Sequence, residues 1–177
     1  DSTKGVFVAA GASYHWAFTD RFYILYSTNG STWTTKEIGD NPGASFLKAY
    51  LALGNDPLGD PLFLSASFYG DIMNGSNKLL ISTDKGKNWS LPAVTGVDAV
   101  YGTLEYLNGK FFMLGSIGGN PVLYTSTNGT DWTLAILPPN SASSFGSIAY
   151  TDGMYLVTAK TFDSNLILLY SENAIDW

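Results

Sequence analysis

The sequence predicts an all-β chain built of four repeated antiparallel units, and three observations lead there. The first is a recurring segment: an apolar run, then Ser with Asn or Asp, then Gly (Ala in the last copy), then Trp, which ends at Trp33, Trp89, Trp132 and Trp177. Four of the five tryptophans therefore share one motif position, at spacings of 56, 43 and 45 residues. The second is that a period of ~40–50 residues belongs to four-stranded propeller blades rather than to helical solenoids. The third is negative: no stretch combines helical periodicity, capping signals and sufficient length, because Gly or β-branched residues interrupt most windows. The predicted fold is a β-propeller of four-stranded antiparallel blades, in one domain over 1–177, with units of approximately 1–40, 41–95, 96–138 and 139–177.

Within these units the strands follow from turn chemistry. In the third unit, residues 102–107 and 110–115 flank Asn108-Gly109, the strongest short hairpin signal, because both central positions of a type I′ turn need positive φ. A third strand over 122–126 runs into the motif, and a fourth over 133–137 is stopped by Pro138-Pro139, which cannot donate to a ladder. The fourth unit repeats the pattern with 147–150, Asp152-Gly153, 154–159 and 166–171. In the second unit, strands over 49–53 and 62–67 enclose a longer loop, 54–61. The first unit begins at its second strand, 6–10, and continues with 22–26.

The motif has a local physical reason. A tight turn needs Gly for positive φ and a short Asn or Asp side chain to accept backbone N–H groups, and the Trp folds back as an apolar plug. On this reading Ser27, Asn29, Gly30 and Trp33 are structural, as are Ser82, Asp84, Gly86 and Trp89. Ser126, Asn128, Gly129 and Trp132 form the third set; Ser171, Asn173 and Trp177 form a fourth in which Ala174 replaces Gly. The stretch Ser82-Thr83-Asp84-Lys85-Gly86-Lys87-Asn88-Trp89 resembles the Asp-box of sialidase-like (BNR-repeat) β-propellers, departing in Asn88 where that signature has Thr. The copies at Ser27 and Ser126 resemble the shortened variety found in bacterial repeats of that family.

Sialidase activity, which the resemblance would imply, conflicts with the composition. That chemistry needs three arginines to clamp a carboxylate, and this chain has one, Arg21. The resemblance therefore implies a non-catalytic member or fragment. A net charge of −6 removes the basic footprint that phosphate backbones require, which argues against nucleic-acid partners. No apolar run approaches the ~20 residues of a membrane-spanning helix, so membrane insertion is not expected. Cysteine is absent, which excludes disulfides and thiol chemistry. With 45% hydrophobic and only 14% charged residues, against ~25% charged in typical domains, disorder is excluded too.

The candidate ligand surface lies in the loops between second and third strands, on the face opposite to the motif turns. Tyr14, His15 and Trp16 occupy that place in the first unit, and Trp16 is the one tryptophan outside the motif. Phe68, Tyr69 and Asp71 follow in the second, and Phe162 and Asp163 in the fourth. Aromatics beside acids and amides suit stacking on a glycan, or a protein hot spot; they also suit sealing the gaps between units. Asp20, Asp71 and Asp163 could form a carboxylate pair for glycoside hydrolysis, or simply serve as turn residues. No cofactor is expected. Asn55, Asp56 and Asp60 offer oxygens that could suit calcium, although the prolines and glycines of their loop explain it without an ion. His15 alone cannot build a zinc site.

The function expected is a non-catalytic recognition module, secreted or at the cell surface, binding glycan or protein through its loop face. A fragment or subunit of a propeller glycoside hydrolase is the alternative, and a structural assembly subunit a third. The chain starts at Asp1 with no basic, apolar leader, as expected of a processed or longer chain. About 14 strands amount to three and a half four-stranded blades, so an open end is expected. A longer chain of six to eight blades, or self-association through blade edges, would cover it.

Overall fold

The computed structural model describes residues 5–13, 19–42, 46–69, 78–93, 95, 103–117 and 120–177. These form thirteen strands in four small antiparallel sheets, with no helix among the described residues. The first sheet holds β1 (Phe7–Ser13), β2 (Thr19–Ser27) and β3 (Thr34–Pro42). The second holds β4 (Phe46–Asn55), β5 (Pro61–Tyr69) and β6 (Lys78–Ser82). In the third, β7 (Thr103–Leu107), β8 (Lys110–Ile117), β9 (Asn120–Ser126) and β10 (Thr133–Leu134) run in order. The fourth contains β11 (Ser144–Thr151), β12 (Met154–Lys160) and β13 (Leu166–Ser171).

Every sheet is a meander in which sequence neighbours pair. The two-residue hairpins form where expected: Asn108 and Gly109 have φ of 46° and 77°, and Asp152 and Gly153 have 49° and 83°. Among the described residues, four strands per sheet hold only in the third sheet; the others have three. The fourth strand expected over 133–137 is cut to Thr133–Leu134, because Ile136 turns away to bridge Asp176 in the turn after β13. In the second sheet, Ser90 makes only a single bridge to Ile81. A cavity of about 520 Å³ runs beside β13, bordered by Leu168 and Tyr170, where the equivalent flank of β9 is occupied by β10.

The sheets pack in series, and each contact is a separate apolar core. Ile24, Val8 and Ala10 of the first sheet meet Leu80, Phe63 and Trp89 of the second. Leu62 and Leu64 meet Leu104, Phe111 and Tyr124 of the third. Phe112, Leu114 and Leu123 meet Tyr155, Val157 and Leu169 of the fourth. Strand alternation makes this possible: on β8, Phe111 and Met113 face one neighbour while Phe112 and Leu114 face the other. Both faces of the inner sheets are thus apolar, which explains the high hydrophobic content.

The first strands of successive sheets lie beside one another, β4 with β7 and β7 with β11, while β1 takes that place in the first sheet. Between β4 and β7, Gly54 lies under the Tyr106 ring, whose hydroxyl donates to the Asn55 carbonyl at 3.2 Å. At the Trp end, the segments leaving the second and third sheets are each tied to the turn of the next. Thr95 exchanges backbone hydrogen bonds with Thr130 and Trp132, and Ile136 does so with Ile175 and Trp177.

Candidate functional site

The two ends of the strands differ in chemistry. At one end, four turns repeat one hydrogen-bond scheme. The Ser hydroxyl accepts from the backbone three or four residues on, at 2.9 Å for Gly30, 2.8 Å for Gly86, 2.9 Å for Gly129 and 2.9 Å for Ala174. The Asn or Asp oxygen accepts the following amides, as Asn128 does from Thr130 and Asp131. The indole N–H then donates back to the carbonyl of Gly30, Gly86, Gly129 or Ala174. Donors and acceptors are consumed inside each turn, so this end is a structural device.

Electrostatics within the turns follow the same scheme. Partial burial pushes the Asp84 carboxyl up, but donors from Asn88, Ser82 and Lys87 outweigh it and hold the group below the usual carboxylate range. The Asn128 amide, followed by the Thr95 hydroxyl, holds Asp131 low as well.

Three of the four motif tryptophans are plugs and one is not. Trp89 and Trp132 are buried between sheets, and Trp177 packs against the third core. Trp33 remains 40% exposed and touches Phe7 edge-on, with centroids 6.4 Å apart. The expectation of a buried plug fails there because each Trp packs on the preceding sheet, and no sheet precedes the first among the described residues.

At the other strand end, the third and fourth sheets enclose a cavity of about 170 Å³. It lies between the start of β9 (Asn120 and Pro121), the connection after β10 (Pro138, Asn140 and Ser141) and the β12–β13 loop at Phe162. That loop is a tight turn: Thr161 N–H donates to the Asn165 carbonyl at 2.9 Å, and Ser164 takes φ of 66°. Ser143 fastens the connection to it, its hydroxyl donating to the carbonyls of Lys160 and Thr161, both at 2.9 Å. On this framework Phe162 stands 63% exposed beside two amide side chains. The Ser141 hydroxyl is buried and has no hydrogen-bond partner among the described residues. Polar groups with a spare aromatic face in a small concavity can hold a compact polyhydroxylated unit; the volume lies below the ~300–1,000 Å³ of drug-sized sites.

Of the residues singled out from sequence, Phe162 lines this cavity; Asp163 is exposed in the same loop but does not line it. Asp20 is not in a loop: it falls in β2, paired with Asn41 of β3, since that ladder extends to Thr19. Phe68 and Tyr69 likewise belong to β5, paired with Lys48 and Phe46. The side chains of these three residues, and Tyr14, His15, Trp16 and Asp71 altogether, lie outside the described residues. The Asp56 carboxylate accepts from the amides of Leu58 and Asp60, both at 2.9 Å, so it orders its own loop. Among the described residues no group of three His, Cys, Asp or Glu is placed to hold a metal. Asn120, Asn140 and Ser141 were not anticipated: the run Pro138-Pro139-Asn140-Ser141 signals a connection, but not which sheet ends it joins.

No protein-family model and no curated protein matches this chain. Solved structures do. A protein of unknown function from Dyadobacter fermentans DSM 18053 superposes with a TM-score of 0.64 at 15% identity, over 98% of this chain and 64% of that one. The Aleuria aurantia lectin, in complex with alpha-methyl-L-fucoside, superposes with a TM-score of 0.53 at 12% identity, over 95% of this chain and 58% of the lectin. A Bombyx mori GH32 beta-fructofuranosidase in complex with sucrose gives a looser likeness, with a TM-score of 0.48 at 12% identity over 98% and 46% of the two chains. The chain spans less than two thirds of the length of each of these structures. At such identities the first two likenesses describe the fold.

Proposed function

We propose that residues 1–177 form an arc of a sialidase-like β-propeller that serves as a non-catalytic carbohydrate-recognition module, at the cell surface or secreted. The blade reading is supported by serial sheet packing, by the adjacent first strands and by turns that resemble Asp-boxes. The observation that carries recognition is the cavity between the third and fourth sheets, where Phe162 is exposed beside Asn120, Asn140 and Ser141. In this reading one sugar ring stacks its C–H face on Phe162, and its hydroxyls bond to the amides of Asn120 and Asn140. The fold likeness to a fucoside-binding lectin is in keeping with that role.

A glycan array probed with the 177-residue chain, followed by titration of any hit against Phe162→Ala, tests the proposal. A loss of tenfold or more in affinity, about 1.4 kcal/mol, supports the stacking role. Unchanged affinity, or hydrolysis of the bound glycan, would sink it.

A further inference from the structure

We infer that the cavity between the third and fourth sheets selects an uncharged sugar and rejects acidic ones, uronic and sialic acids included. This rests on the carbohydrate reading and deepens it, because the chemistry of the lining decides which sugars the site can take.

A sugar carboxylate needs a cation or converging N–H groups, since an ionised group taken out of water without a partner is strongly penalised. The cavity supplies no cation. Among its lining residues none is charged; the polar ones are Asn120, Asn140 and Ser141. Lys160 lends its carbonyl, which accepts from the Ser143 amide at 2.6 Å, but its side chain does not line the cavity. The ionisable residue that shares the loop with Phe162 is Asp163, whose charge repels an anion.

The backbone does little to replace a cation. Pro121 and Pro138 line the cavity and have no N–H. The Ser141 amide donates to the Pro138 carbonyl at 3.2 Å, and the amides of Thr161 and Ser164 are spent within the β12–β13 turn. The Ser141 hydroxyl is buried in the wall, out of reach of a ligand.

What remains suits hydroxyls. An Asn side chain carries N–H donors and a carbonyl acceptor, and a sugar hydroxyl both donates and accepts, so the two match in full. A carboxylate only accepts, which leaves the Asn carbonyl facing a negative charge. Neither the Asn120 nor the Asn140 side chain has another hydrogen bond among the described residues. Asn140 is also held ready. It takes φ of 54° at the third position of the turn that Ser141 closes onto Pro138, with Pro139 fixed at the second. The rest of the lining, Leu137 and Ala142 with the two prolines, is apolar and meets C–H surface as Phe162 does.

A glycan array that sets each neutral terminal sugar beside its acidic counterpart, such as galactose beside galacturonic acid and lactose beside sialyllactose, tests this with the 177-residue chain. The neutral member of a binding pair is expected to bind about tenfold tighter or more, with little dependence on salt. Its affinity should fall about tenfold in Asn140→Gly, which removes the amide and keeps a residue suited to positive φ, with circular dichroism unchanged. An acidic member that binds as tightly as its neutral partner overturns the inference and leaves the carbohydrate reading standing. Undiminished binding by Asn140→Gly overturns it as well, by removing the hydroxyl-matching amide from the account. No binding of any sugar overturns both.

Discussion

A methyl group placed on Gly129 would stand 2.7 Å from Leu64 Cδ2, so the third turn is pressed against the middle strand of the second sheet. Gly86 has the same relation to Val8, also at 2.7 Å, one sheet earlier. The glycine therefore does two jobs: it takes positive φ, and it lets the turn approach its neighbour.

Gly129→Ala should consequently be costly. A side chain at φ of 75° is disfavoured by ~1–2 kcal/mol, and overpacking against Leu64 adds ~1–3 kcal/mol. A loss of about 2–5 kcal/mol in urea unfolding is the expected outcome, and a loss under about 1 kcal/mol would show that the sheets yield at this contact.

Trp132→Ala should lower stability by ~3–5 kcal/mol, the usual cost of truncating a buried aromatic. Trp33→Ala removes an edge contact to Phe7 and one turn hydrogen bond, for a loss of ~1 kcal/mol. Denaturant melts of the two variants side by side test the asymmetry. Equal losses would mean that Trp33 is covered in solution.

Acid should weaken the second turn. The folded Asp84 carboxyl titrates below its ordinary value, so its stabilisation is complete above that ordinary value, near pH 4, and is lost as pH falls through the folded one. Asp84→Asn should flatten this part of the acid profile while preserving the turn, since Asn29, Asn128 and Asn173 hold the equivalent place elsewhere. Thermal melts between neutral pH and pH 3 would read the difference; parallel curves for wild type and variant would contradict it.

Thr125 carries a buried hydroxyl with no hydrogen-bond partner among the described residues, on the face of β9 that Leu123 uses to meet the fourth sheet. Thr125→Val keeps the shape and removes the unsatisfied group, which should raise stability by ~1 kcal/mol. A destabilised variant would indicate that the hydroxyl has a partner in solution.

What the sequence made legible was what short-range chemistry decides. Asn108-Gly109 and the Ser27, Ser82, Ser126 and Ser171 turns follow from positive φ and side-chain acceptors within a few residues. Strand ends at Asp20 and Tyr69 did not, because ladder length depends on the partner strand. The exposure of Trp33 was hidden for a related reason: its local motif matches that of Trp132, and only the neighbouring sheet differs. The cavity at Phe162 is assembled from three segments far apart in the chain, so one of its members stood out as an aromatic in a loop while Asn120, Asn140 and Ser141 looked like ordinary turn residues.

Three separate cores joined in a row also govern how the molecule comes apart. Among the described residues the outer sheets are each held from one side and the middle pair from both, so the coupling energy within this row resembles that of beads on a string, with nearest-neighbour terms only. Opening should begin at the extremities, and amide protons of β5 and β8 should exchange last. Cooperativity is thus a property of the row, set by how many members it has and by whether its ends are joined.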